Sequence, residues 1–147
     1  MTTRVYHVTY KEDWGDSIVL FPRIPLSAAK GEPEIDRICV APSIEQAIFA
    51  AGEIDFVRAI YFADVEDEDL FGAWNVFDSH ITEELWLFKP TKFELLTRVT
   101  SKNRMNVPFI RPEKLDIKDL QKIRLWLDSW LDYRVVEFIF EQEEVAV

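Results

Sequence analysis

Four side chains in this chain could do chemistry: His7, Arg23, Ser43 and Glu84. His7 lies in Arg4–Tyr10, a run of β-branched and aromatic residues that reads as a strand. There it could hydrogen-bond a sugar hydroxyl or fill a structural position. Arg23 lies in Pro22-Arg-Ile-Pro25, where a proline follows on each side of a short extended stretch. Its planar fork suits a phosphate, and an exposed Arg on a stiff loop is the plain alternative. Ser43 follows Pro42 and precedes Ile-Glu-Gln, so it reads as a helix N-cap with Gln46 completing a capping box. A helix start can also hold an anion. Glu84 belongs to Thr82-Glu-Glu-Leu-Trp86. If it opens a strand, Thr82, Glu84 and Trp86 share one face, and a carboxylate beside an aromatic could stabilise a sugar cation. A solvated Glu pair at a strand start is the alternative.

The elements that must position these groups follow from the pattern. Val5, His7 and Thr9 share one face of the first strand, and Tyr6, Val8 and Tyr10 the other. Further strands read over 17–21, 38–40, 57–65, 84–88, 92–100 and 134–141. Residues 26–36 read as a long loop and 70–79 as irregular. A short helix runs from Ser43 to Ala51, with Gly52 as its stop. Asp116 caps a longer helix, 117–133, on which Ile117, Leu120, Arg124, Leu127 and Leu131 form one stripe and Ile123, Trp126 and Trp130 an adjacent one, together a broad apolar face. On strand 92–100, Phe93, Leu95, Thr97 and Val99 fall on one face. The plan is α+β, β-rich, with two small packed sheets, one short helix and one long helix. The stretch Arg37–Ala51 (strand, Pro42 break, helix) sets the frame for the neighbouring candidates.

Composition narrows the functional classes. At 147 residues and 48% hydrophobic, the chain is one domain, 1–147, with a real core. The net charge of -10 argues against binding nucleic-acid phosphates. Residues 100–134 nevertheless hold eight basic and five acidic side chains, so the acidity is concentrated elsewhere. The one cysteine, Cys39, sits in an apolar run and reads as a buried free thiol. Two histidines without a Cys pair nearby make only a weak case for a metal centre, and none is expected. With four glycines there is no Gly-rich phosphate cradle, and no Gly-x-Ser-x-Gly elbow or His-Glu-x-x-His is present. The N-terminus lacks a signal-peptide core and no apolar run reaches a membrane span, which points to a cytoplasmic protein without membrane contact. An apolar surplus on the 117–133 helix would predict a homodimer.

Taken together, the Tyr6-His7-x-Thr9 strand, the helix beginning Ser43-Ile-Glu-Gln-Ala and the late Glu84 resemble the small ADP-ribosyltransferase fold. Pro22–Pro25, Ile38–Ile44 and Ile81–Pro90 are similar to a family of small uncharacterised proteins of bacteria and their phages. The first resemblance implies NAD in a cleft between two sheets. It implies that Glu84 stabilises the ribosyl cation and that His7 orients the ribose as the catalytic pair. Arg23, Ser43, Tyr6 and Trp86 would hold the cofactor. Val8 stands where that fold has a glycine. The alternative reading is a non-enzymatic acidic binding module that captures a nucleotide or a basic protein, such as a phage-encoded inhibitor of a host defence protein.

Overall fold

The computed structural model describes residues 1–131 except 11, 13, 26–30, 53, 75–78 and 111–115. The expected strand over 134–141 lies outside the described residues. The long helix, expected to run to Tyr133, ends at Asp128, where Ser129 caps it and the chain turns. Among those described, seven strands form two antiparallel sheets. The first contains β1 (Thr2–Tyr10), β2 (Ser17–Leu20), β4 (Val57–Glu66) and β7 (Thr91–Arg98), in the order β1-β4-β7-β2. The second contains β3 (Ile38–Val40), β5 (Phe71–Gly72) and β6 (Leu85–Leu87), in the order β3-β6-β5. Three helices accompany them: α1 (Ile44–Ala51), α2 (Ser79–Thr82) and α3 (Ile117–Asp128). The α+β, β-rich plan with two small sheets is therefore what the chain adopts. Among the described residues no helix is long and apolar enough to cross a membrane.

Alternation along β1 creates the layers. Tyr6 and Val8 point to one side and pack with Ile60 and Phe62 under α1 and α3. Val5 points to the other side and packs with Tyr61 and Phe93 against Ile38, Val40 and Leu87 of the small sheet. Helices, large sheet and small sheet thus stack in that order. The buried Ile44 and Ile48 anchor α1, each contributing about 1.5–3 kcal/mol by leaving water. The expected single face of β7 is broken. Ile60 pairs with Thr97 but Tyr61 pairs with Leu95, so Leu96 is an extra residue in the ladder. Phe93 stays between the sheets, whereas Leu96 and Val99 turn to the helix side.

β3 ties the layers together. One edge pairs with β6. The other edge is bridged at Ala41 to Tyr6 of β1 and at Arg37 to Arg23, just past β2. Both margins of the large sheet thus converge on β3. On α3, Ile123, Trp126 and Leu127 are buried, while Ile117 and Leu125 are 66% and 70% exposed. A homodimer through this helix would have to be built on those two and on the nearby exposed Met105 and Phe109.

Candidate functional site

Between its two bridges, β3 parts from β1, and His7 occupies the gap. Arg37 and Ala41 both turn their backbone groups to that edge, so Cys39 between them does the same. Its carbonyl accepts a hydrogen bond from His7 Nδ1 at 3.0 Å. A carbonyl can only accept, so Nδ1 carries the proton and the neutral ring keeps its lone pair on Nε2. The half-buried ring stacks on Trp14 with centroids 5.8 Å apart and meets Phe93 at 6.0 Å. Tyr61 closes the floor, accepting from Trp14 N–H at 3.0 Å and donating to Gly15 O at 2.6 Å.

Burial lowers the pKa of His7, and the charge of Arg23 lowers it further against the hydrogen bond to Cys39. The neutral ring is therefore the folded form. In the window between that lowered value and the usual value of about 6.5, the unfolded chain binds more protons. His7 thus contributes full stability above about pH 6.5, and that contribution falls as pH drops through the window. Urea midpoints of the wild type will decrease from about pH 7 to about pH 5 more steeply than those of His7→Gln. Gln keeps an N–H for the Cys39 carbonyl and cannot titrate. Equal slopes for the two proteins would refute the buried neutral imidazole.

The other face of β3 carries a different cluster. Cys39 pairs with Trp86, and Trp86 with Phe71, so these side chains share the outer face of the small sheet. Arg37, two residues before Cys39, lies on the same face with its side chain only 1% exposed. Its guanidinium donates to Pro33 O at 2.7 Å, Ile35 O at 3.1 Å and the Glu32 carboxylate at 3.0 Å. It also lies over the Trp86 ring, 4.4 Å from the centroid. Trp86 is fully buried, and its Nε1–H donates to Glu84 Oε2 at 2.9 Å. Burial pushes the Cys39 thiol up to about 12, with the Glu84 charge adding to the rise and Arg37 opposing it. Such a thiol is inert as a nucleophile.

Several expected positions change accordingly. His7 bonds the Cys39 carbonyl at the β1-facing edge of β3, whereas Glu84 holds the Trp86 indole on the outer face of the small sheet, so each is engaged by a different element. Glu84 does not open a strand. α2 ends at Thr82, Glu83 takes a left-handed φ of 51°, and β6 begins at Leu85. Thr82 is buried and its hydroxyl accepts the Glu84 N–H at 3.3 Å. Tyr6 is 2% exposed under the helices, because it alternates with His7 to the opposite face, and cannot stack a ligand ring. Trp86 is likewise closed off, by Arg37, Trp74 and Phe88. Ser43 is engaged by its cap. Its Oγ accepts Gln46 N–H at 3.2 Å and donates to Gln46 Oε1 at 2.8 Å. Gln46 Nε2 then donates to Ile81 O at 3.0 Å and to Glu83 at 3.2 Å, tying α1 to α2. Arg23 has its backbone in the bridge to Arg37 and an exposed side chain.

Two open depressions of about 320 Å³ each lie elsewhere. One is between the 106–108 loop and α3, the other between the end of β4 and the β6–β7 turn. Neither is lined by His7 or Glu84. Among the described residues no three His, Cys, Asp or Glu side chains are grouped to hold a metal. Sequence reasoning missed Arg37 and the exposed Phe71, Trp74 and Phe88. The available signals were an Arg in register with Cys39 on one strand face, and aromatics set directly after the acidic run 66–69. No family model matches the chain, and neither a curated protein nor a solved structure does.

Proposed function

We propose that this chain is a non-enzymatic binding module for a basic protein partner. The observation that carries the reading is that His7 and Glu84 are each engaged by a different element. Ribosyl-cation chemistry needs the carboxylate and the ribose-orienting group on one ligand. Here the His7 Nδ1 proton is held by a backbone carbonyl, and a Glu84 oxygen holds the Trp86 indole. The rings nominated for stacking, Tyr6 and Trp86, are in the interior. The chain as a whole carries a net charge of -10, which favours encounter with a cationic partner.

Calorimetry tests both halves. NAD at millimolar concentration will give no binding heat with folded protein. A polyarginine peptide will bind, and its affinity will fall as salt rises. Saturable NAD binding that Glu84→Gln abolishes would overturn the reading in favour of an ADP-ribosyltransferase-like site.

A further inference from the structure

We infer that the partner docks on the outer edge of the small sheet, where an exposed aromatic ladder meets an acidic turn. The occupant is a basic protein segment carrying an apolar or aromatic anchor. This rests on the binding-module reading above and gives it a place. Phe71, Trp74 and Phe88 are 48%, 50% and 42% exposed. They are not scattered. Phe71 and Phe88 are 5.1 Å apart between centroids, Phe88 is 6.3 Å from Trp86, and Trp74 is 5.9 Å from Trp86. The buried Trp86, clamped by Arg37 and Glu84, is the rigid base on which the three exposed rings sit. Aromatic side chains grouped on a firm base, with little rotamer entropy left to lose, are what interface hot spots are made of.

The charge beside the ladder selects the partner. Glu66, Asp67, Glu68 and Asp69 run in sequence from the end of β4 to two residues before Phe71. Lys89 follows Phe88 directly and its ammonium lies 2.6 Å from Asp69, which pins the acidic turn to the rim of the aromatic patch. Glu66 and Glu68 are exposed on that turn. An apolar centre with an acidic rim complements a cationic segment whose own anchor is apolar, and it repels an acidic one. Among the described residues β5 is the last strand of the small sheet in the order β3-β6-β5, which puts the patch at the margin of that sheet, where an extended segment can approach.

Three synthetic peptides test this by fluorescence anisotropy: Arg interleaved with Trp, Arg interleaved with Ser, and Glu interleaved with Trp. The Arg–Trp peptide will bind the wild type tightest. Phe71→Ser combined with Phe88→Ser will weaken it about thirtyfold, the loss of a hot spot. Glu66→Lys combined with Glu68→Lys will weaken it and flatten its salt dependence. All four positions are exposed, so urea midpoints close to wild type will show that both variants fold. Wild-type affinity in both variants places the partner elsewhere and overturns the docking surface, while the module reading stands. Preference for the Glu–Trp peptide overturns the charge argument. Failure of the wild type to bind any of the three overturns the module reading with it.

Discussion

Arg37→Ala will lower the stability of the folded chain by about 3–5 kcal/mol, the cost of removing one partner from a buried ion pair. Arg37 is buried, and its guanidinium gathers Pro33 O, Ile35 O and the Glu32 carboxylate while covering Trp86. Truncation leaves two carbonyls and a mostly buried carboxylate without their donor, and it opens a void over the indole. Arg37→Lys will recover only part of the loss, because a single ammonium cannot reach three oxygens in a fork and cannot lie flat on the ring. Arg37→Met combined with Glu32→Gln separates the causes. It keeps the stem on Trp86 and removes the stranded charge, so it will be less damaging than Arg37→Ala if the charge dominates. Urea midpoints measure all three. A loss under about 1 kcal/mol for Arg37→Ala, the range of ordinary surface substitutions, would mean that the 31–36 loop is held by something else.

The features legible in the sequence are those set by neighbours along the chain. Ser43 and Asp116 show their N-caps within a few residues, and both caps form; Gln46 takes the Ser43 hydroxyl proton rather than its backbone N–H, so the reciprocal box closes only at Asp116 with Asp119. The two faces of β1 follow from alternation alone, so the opposite placements of Val5 and Tyr6 were readable. Where a partner strand decides, the reading failed. The extra residue at Leu96 exists only because β4 and β7 pair with a register shift, and it turns Val99 to the other face. The Thr82–Glu84 turn depends on Gln46 of α1 bonding Ile81 and Glu83, 35 and 37 residues away in the chain. Gln46 reads as a cap residue and gives no hint of that reach. The separation of His7 from Glu84 has the same origin. Alternation gives each a face of its own strand, but only the approach of β1 to one edge of β3 and of β6 to the other gives them these separate partners. The resemblance to a transferase used residue types in chain order, and chain order is silent on that point.

Trp86→Ala will cost about 3–5 kcal/mol, as expected for emptying a fully buried aromatic site. It will also weaken the Arg–Trp peptide, although Trp86 itself is inaccessible. The two effects have one source. Trp86 is the ring that Arg37 covers, that Glu84 anchors through its Nε1–H, and against which Trp74 and Phe88 lie. Glu84→Gln supplies the contrast. Its amide oxygen still accepts the indole N–H, so stability will change by no more than the roughly 1 kcal/mol of a neutral hydrogen bond, and peptide binding will hold. The Cys39 thiol will titrate at lower pH, since one of the charges raising it is gone. Glu84 then acts as a hydrogen-bond acceptor, and its negative charge is dispensable. If Glu84→Gln instead costs as much as Trp86→Ala, the carboxylate charge is itself needed in the cluster. If Trp86→Ala is as stable as the wild type, the Arg37–Trp86–Glu84 stack does not hold the outer layer, and the aromatic ladder lacks the rigid base that makes it a docking surface.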